Sequence, residues 1–236
     1  MKIEIWSDVV CPFCYIGKRN FENALHQFPG KEEVEVIWKS FQLDPTISKT
    51  AEPQLYTDQL SKKTGWSKEE TDKALESMSA MAKSVGLEFN LEGLKSINTF
   101  DTHRIIQYAK LKDLGSQAEE AFFKAFFTDG RDLTKKETQI EIMQNIGLTE
   151  TDLEKAMSDD LYEKMTKADI EEAKQLQISG VPFFVIDRKY AVSGAQPSEA
   201  FTQTLETAFQ EWKAENPTPE LQVVQGQSCD VNGKCD

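Results

Sequence analysis

The chain has 236 residues, with 27 basic against 40 acidic side chains, a net charge of −13 and no block rich in Lys or Arg, which excludes nucleic acid and anionic membrane as natural partners. No stretch approaches the roughly 18 apolar residues of a membrane span. At 39% hydrophobic and 10% aromatic residues, the chain can bury a sizeable core, either as one large domain or as a small domain carrying an insertion.

Residues 2–7 alternate with period two and predict a strand, with Ile3 and Ile5 on one face and Glu4 and Trp6 on the other. Lys2 and Glu4 also fall where a signal peptide would carry its apolar stretch, which predicts a cytoplasmic protein. Next comes Cys11-Pro12-Phe13-Cys14, opening a segment in which Ile16, Phe21, Leu25 and Phe28 recur at helical spacing until Pro29-Gly30 stops it.

A dithiol at the start of a helix is suited to exchange chemistry. One sulfur must attack as a thiolate and a second must be near enough to resolve the mixed disulfide, and two intervening residues keep both on one helical turn. Unpaired N–H groups and the positive end of the helix dipole stabilise the anion there, while Pro12 loses no helical hydrogen bond in the first turn. Cys11, the outer cysteine, is the predicted nucleophile with its sulfur nearer solvent. Cys14, one turn in, is the predicted resolving thiol. A thiolate so placed is expected to form at a lower pH than a free cysteine's. A zinc site would need two more ligands, and neither His26 nor His103 stands at a recognisable spacing from the pair, so no metal is predicted.

Residues 34–41 predict a second strand, ended by Asp44-Pro45, and strand, helix, strand in this order predicts a parallel βαβ unit. From about Glu52 to Gln177 the signals are helical. Ser67 with Glu70 predicts a helix to about Val85, and Asn98 or Thr99 can cap another through Tyr108. Ser116 opens one carrying Phe122, Phe123, Phe126 and Phe127, which serve either as core or as a pocket lining. Thr134 and Glu137 have capping-box spacing, and Thr149 and Asp159 or Asp160 begin two more helices. Residues 181–186 and 190–192 predict a hairpin turning at Asp187-Arg188. Pro197 starts a last helix with Ala200, Phe201, Leu205, Ala208, Phe209 and Trp212 on one side. The expected fold class is α/β, about four strands flanked by helices, with the dithiol at the strands' carboxyl edge. Pro182 at a strand start fits an ordinary trans bond or a cis bond that would turn the Val181 backbone groups toward an incoming peptide.

A Cys-x-x-Cys after the first strand, a helical insertion, and Gly180-Val181-Pro182 before a hairpin together resemble the DsbA-like branch of the thioredoxin superfamily. The stretch Ser7 to Gly17, Phe41-Gln42-Leu43-Asp44-Pro45, Thr102-His103-Arg104 and residues 180–198 are similar, more narrowly, to FrnE-like protein disulfide oxidoreductases and isomerases. The resemblance implies a thioredoxin fold over residues 1–51 and 178–215, a large all-helical insertion over 52–177 and a tail over 216–236. It also implies a cis Pro182 and a Val181 that pairs by its backbone with substrate. Phe13 stands where strongly oxidising members carry histidine, which implies a less oxidising poise. Related isomerases and transferases that use glutathione place serine at the first cysteine position. Cys11 therefore argues against that chemistry, although the shared insertion keeps a glutathione-dependent reaction on a small aromatic molecule as the alternative.

The expected activity is thiol–disulfide exchange on client proteins, as oxidase, isomerase or reductase, with a cytosolic redox partner and no cofactor beyond the dithiol, glutathione being a candidate co-substrate. Pro12, Phe13, Tyr15, Val181 and Pro182 are the expected substrate-binding residues, with Phe13, Tyr15 and Val181 forming an apolar patch for an unfolded client. His103 and Lys39 are candidates to act from behind the dithiol, with Asp8 and Glu35 as further charged groups near it, and His103 also fits plain packing. Two tail cysteines, Cys229 and Cys235, flank an Asn232-Gly233 turn and form a candidate accessory redox pair; a structural clip or a metal clasp are the other readings. A client-binding chaperone with an incidental dithiol is a third reading of the whole.

Overall fold

A computed structural model of the protein describes residues 1–50 and 52–217. The period-two run forms β1 (Lys2–Ser7), the dithiol segment opens α1 (Pro12–Gln27), and β2 (Glu35–Ser40) follows. The insertion then contributes β3 (Gln54–Leu55), α2 (Tyr56–Thr64), α3 (Lys68–Ser84), β4 (Lys95–Ser96), α4 (Phe100–Lys110), α5 (Gly115–Phe123), α6 (Lys136–Asn145), α7 (Glu150–Ser158) and α8 (Asp160–Gln175). The chain returns through β5 (Phe183–Ile186), β6 (Tyr190–Ser193) and α9 (Ser198–Glu215).

The main sheet has the order β2-β1-β5-β6. β1 and β2 are parallel with Ile3 opposite Val36 and Ser7 opposite Ser40, and β5 joins β1 antiparallel with Ile5 opposite Phe184. Asp187 and Arg188, at φ 50° and 55°, make the tight turn between β5 and β6, a backbone pair whose twist matches that of the strands. Both faces of β1 are covered. Ile3 and Ile5 pack with Phe21, Phe184, Phe201 and Leu205 under α1 and α9. Trp6 packs with Ala173, Ile178 and Val185 beneath α8, and its indole N–H donates to the Asp169 carbonyl at 3.0 Å. A thioredoxin fold with a helical insertion is the result.

Local capping signals explain three of the helix starts. Ser67 with Glu70, and Thr149 with Asp152, form reciprocal capping boxes, and Asp159 accepts from Leu161 N–H to cap α8. Three expectations are corrected. Thr134 does not cap α6, because Asp132 Oδ1 engages both its N–H and its hydroxyl, and α6 starts at Lys136 without a side-chain cap. Helix α5 begins at Gly115, ahead of Ser116, also without one. The insertion is not wholly helical either, since Gln54–Leu55 pairs antiparallel with Lys95–Ser96. After α5 the helix widens into a π turn over Lys124–Thr128. Phe122, Phe123, Phe126 and Phe127 are all at most 2% exposed, so this cluster is core rather than a pocket wall.

Candidate redox site

The end of β1 delivers the chain to α1 through a short loop. Cys11 N–H donates to the Asp8 carbonyl at 2.9 Å, and Asp8 Oδ2 accepts from Leu43 N–H at 2.8 Å, which ties the loop to the segment after β2. Cys11 is the N-cap residue of α1, with extended backbone (φ −92°, ψ 111°), Pro12 as the first helical residue and no acidic residue in the first turn. The positive end of a sixteen-residue helix is thus left for the Cys11 sulfur. Cys14 N–H bonds back to the Cys11 carbonyl at 3.0 Å, and both cysteines are free thiols.

Across the site the Val181–Pro182 bond is cis, and Cys11 Sγ donates to the Val181 carbonyl at 3.4 Å. Gly17 permits this closeness: a Cβ there would stand 2.9 Å from Pro182 Cγ. Cys11, Cys14, Val181 and Pro182 therefore meet where α1 begins and β5 is about to start.

Several expectations change on this geometry. Cys11 is only 3% exposed against 1% for Cys14, because the Val181 carbonyl and the apolar cluster around Ile105 and Phe122 cover it, so exposure does not separate the two sulfurs. Tyr15 is buried and takes no part in an outer patch. Its ring stacks on Phe123 at 4.9 Å with a 7° tilt, and its hydroxyl donates to Glu120 Oε1 at 2.7 Å. Pro12 and Pro182 are buried as well, which leaves Phe13, 38% exposed, and the half-buried Val181 facing outward. Lys39 turns away to α8, where its Nζ lies 3.0 Å from both Asp169 Oδ1 and Glu172 Oε2. Glu35 sits opposite Lys2, at the far end of the strand from the site. Cys229 and Cys235 lie outside the described residues.

Burial pushes the Cys14 thiol well above its ordinary range. The neighbouring Cys11 sulfur adds to this, and the Asp8 backbone N–H and Ser7 hydroxyl work against it. Behind Asp8 stands His103 on α4, with Nε2 3.4 Å from Asp8 Oδ1 and both side chains buried. Next to it is Glu119 on α5, 1% exposed, a residue the sequence reading did not single out. Its position three and four residues before Phe122 and Phe123, on the buried face of the helix, was the available signal. Tyr56 was also missed; it packs against the cluster that holds Cys11, and burial first, then the Cys11 charge, keeps its hydroxyl protonated.

Burial raises the Glu119 carboxyl from 4.5 to about 7, against the opposing charges of His103 and Lys18. The folded state thus holds a proton that the unfolded chain sheds above about pH 4.5, so stability falls as pH rises toward 7 and stays lower beyond it. Glu119→Gln is neutral throughout and removes this slope. It is expected to be more stabilising at pH 8 than at pH 4 by about 3 kcal/mol, read from urea unfolding at the two pH values. Equal effects at both would mean that Glu119 ionises as it does in water.

The family model for the DSBA-like thioredoxin domain matches residues 2–206. The chain is similar to the probable DsbA oxidoreductase SCO1869 of Streptomyces coelicolor, at 36% identity and a TM-score of 0.84, over 100% of this chain and 98% of that one. It is similar to the cytosolic disulfide reductase DsbM of Pseudomonas aeruginosa, solved with GSH, at 14% identity and a TM-score of 0.63, over 89% and 100% of the two chains, a likeness of fold. YwbO of Bacillus subtilis (strain 168) is 26% identical over 205 residues, covering 86% of this chain and 94% of that protein.

Proposed function

As the chain belongs to the DSBA-like thioredoxin domain family, a family of thiol–disulfide oxidoreductases, we propose that it carries out exchange through its Cys-Pro-Phe-Cys dithiol, Cys11 attacking and Cys14 resolving. The observation that carries this reading is the asymmetry between the two sulfurs. Cys11 caps a helix whose first turn has no carboxylate, whereas Cys14 is held protonated by its surroundings. In the proposed cycle the Cys11 thiolate opens a client disulfide. Cys14 then displaces the client from Cys11 and closes the Cys11–Cys14 bridge, which a soluble thiol of the cytoplasm, glutathione being the proposed one, reduces again.

Client binding is proposed to use the exposed Phe13 ring and the Val181 backbone, whose carbonyl already accepts from Cys11 and can equally face an extended peptide. Phe13 places no charge beside the thiolate, which favours reductase or isomerase work over strong oxidation. Equilibration of the Cys11–Cys14 couple with glutathione, read by alkylation and mass, tests this. A potential below about −180 mV is expected, and one near about −120 mV would reverse the direction of electron flow.

A further inference from the structure

Cys11 is enclosed, at 3% exposure, yet the exchange reading requires its sulfur to meet a disulfide in another polypeptide. Two elements face it. One is Val181, whose carbonyl lies 3.4 Å from Cys11 Sγ and which leads into β5 of the central sheet. The other is Tyr56, the first residue of α2. It packs against the apolar cluster that contains Cys11, its hydroxyl near enough for the Cys11 charge to act on it. The sheet holds Val181 firmly, whereas α2 has nine residues and none of them is buried. So short a helix is marginal without an apolar face in a core.

Polar contacts hold α2 instead. Tyr56 N–H donates to the Leu94 carbonyl at 2.7 Å, beside the two-residue pairing of β3 with β4. Among the described residues, the side chains of α2 reach one polar group beyond the helix's own flanks, the Asp44 carboxylate. Lys63 Nζ lies 2.7 Å from Asp44 Oδ2, and Gln59 Nε2 donates to the same oxygen at 3.2 Å. Asp44 follows Leu43, whose N–H donates to Asp8 Oδ2, so the contact ends on the loop that carries Cys11. Burial opposes its charge, but Lys63 and Thr46 hold the Asp44 carboxyl down at about 2. Alongside, a cavity of about 300 Å³ lined by Thr46, Ile47, Ser48, Gln54, Gln59 and Ser96 leaves space between α2 and the segment after Asp44. At its far end α2 stops at Gly65, at φ 75°, with open space where a side chain would stand.

We propose that α2 is a lid over Cys11, that Asp44 is its latch, and that release of Lys63 and Gln59 from Asp44 admits a client polypeptide to the sulfur. The proposal deepens the exchange reading and rests on it. Asp44, Gln59 and Lys63 are positioning residues that act through Tyr56. The latch consists of one ion pair, with Lys63 47% exposed, and one neutral hydrogen bond, so the closed state is favoured only modestly. Attack on Cys11 proceeds from molecules with the lid raised, and its rate follows their fraction while opening outruns reaction. A latch of this kind weakens with salt, which sets it apart from apolar packing.

The test follows alkylation by a maleimide carried on polyethylene glycol, of Cys11 in the full-length Cys14→Ala protein and of Cys14 in Cys11→Ala. Peptide mass separates these sites from Cys229 and Cys235. Asp44→Asn and Lys63→Gln, each added to Cys14→Ala, are expected to speed Cys11 alkylation about threefold to fivefold, as loss of one half-exposed ion pair allows. Combining them is expected to add nothing, because both remove the same contact. Raising NaCl from about 0.05 M to about 0.5 M is expected to speed the reaction in the parent and to leave the Asp44→Asn rate in place. Cys14, 1% exposed, is expected to keep its rate throughout. Folded variants that alkylate at the parent's rate overturn the proposal, as does an equal acceleration of Cys11 and Cys14, which marks a general loosening of the fold. Should Asp44→Asn not fold, the surface change Lys63→Gln decides alone. Failure of the exchange reading looks different: the latch variants would alkylate faster at Cys11, yet Cys14→Ala would form no mixed disulfide with a peptide closed by one disulfide.

Discussion

Cys14→Ala is expected to hold the protein covalently on its client and to lower multiple-turnover activity on the order of a thousandfold or more. Cys14 lies one turn from Cys11, with its N–H on the Cys11 carbonyl at 3.0 Å. Well-oriented intramolecular groups reach effective concentrations of about 10⁵ M or higher, so a millimolar external thiol replaces such a neighbour poorly. The first attack needs only Cys11, so a band combining protein and client should appear on a non-reducing gel, disappear with dithiothreitol, and be absent in Cys11→Ala. Cys14→Ala protein that keeps its turnover would favour the glutathione-dependent reading, in which a single residue at the helix start suffices. Adding Cys229→Ser and Cys235→Ser to the Cys14→Ala protein asks whether the tail pair supplies any residual resolution, as a proposed relay would require.

The second large effect is on stability. Phe123 is fully buried and stacks face to face on Tyr15, the residue after Cys14. Tyr15 also donates to Glu120, which receives Lys18 at 2.7 Å and Arg19 as well. The stack and the ion cluster together fasten α5 to α1, so Phe123→Ala removes a ring from the contact between the insertion and the helix that carries the dithiol. It is expected to cost about 3–5 kcal/mol in urea unfolding and to lower the thermal midpoint by about 10 °C. Alkylation of Cys14 should quicken in parallel, since the wall around it loosens. A loss below about 1 kcal/mol would show that the site does not depend on this contact.

How much of this was legible in the chain depended on range. The dithiol, its helix, the parallel pair and the Pro182 hairpin are written in contiguous residues, with clear periodicity and turn residues, and they stand where expected. The capping boxes at Ser67 and Thr149 are equally local, while the one expected at Thr134 failed because Asp132, two residues earlier, captures the same hydroxyl. The pairing of Gln54–Leu55 with Lys95–Ser96 is too short to produce any alternation. Within the site, Cys11, Cys14 and Pro182 could be named from motifs, but Glu119 could not, because what brings it to His103 is the packing of α5 on α4. Tyr15 and Lys39 were misplaced for the same reason. Their surroundings are set by α5 and α8, which arrive more than a hundred residues later.

The carbonyl that rests on Cys11 has a consequence for damage as well as for turnover. Susceptibility to oxidation follows thiolate character and access together. A sulfur shielded to 3% exposure and already engaged by Val181 offers little approach to a diffusing peroxide. An extended chain that pairs with the hairpin can displace that contact, whereas a small oxidant brings nothing to displace it with. On the proposed exchange reading, the contact that a client has to displace also slows the irreversible steps of the Cys11 sulfur toward sulfinic and sulfonic acid.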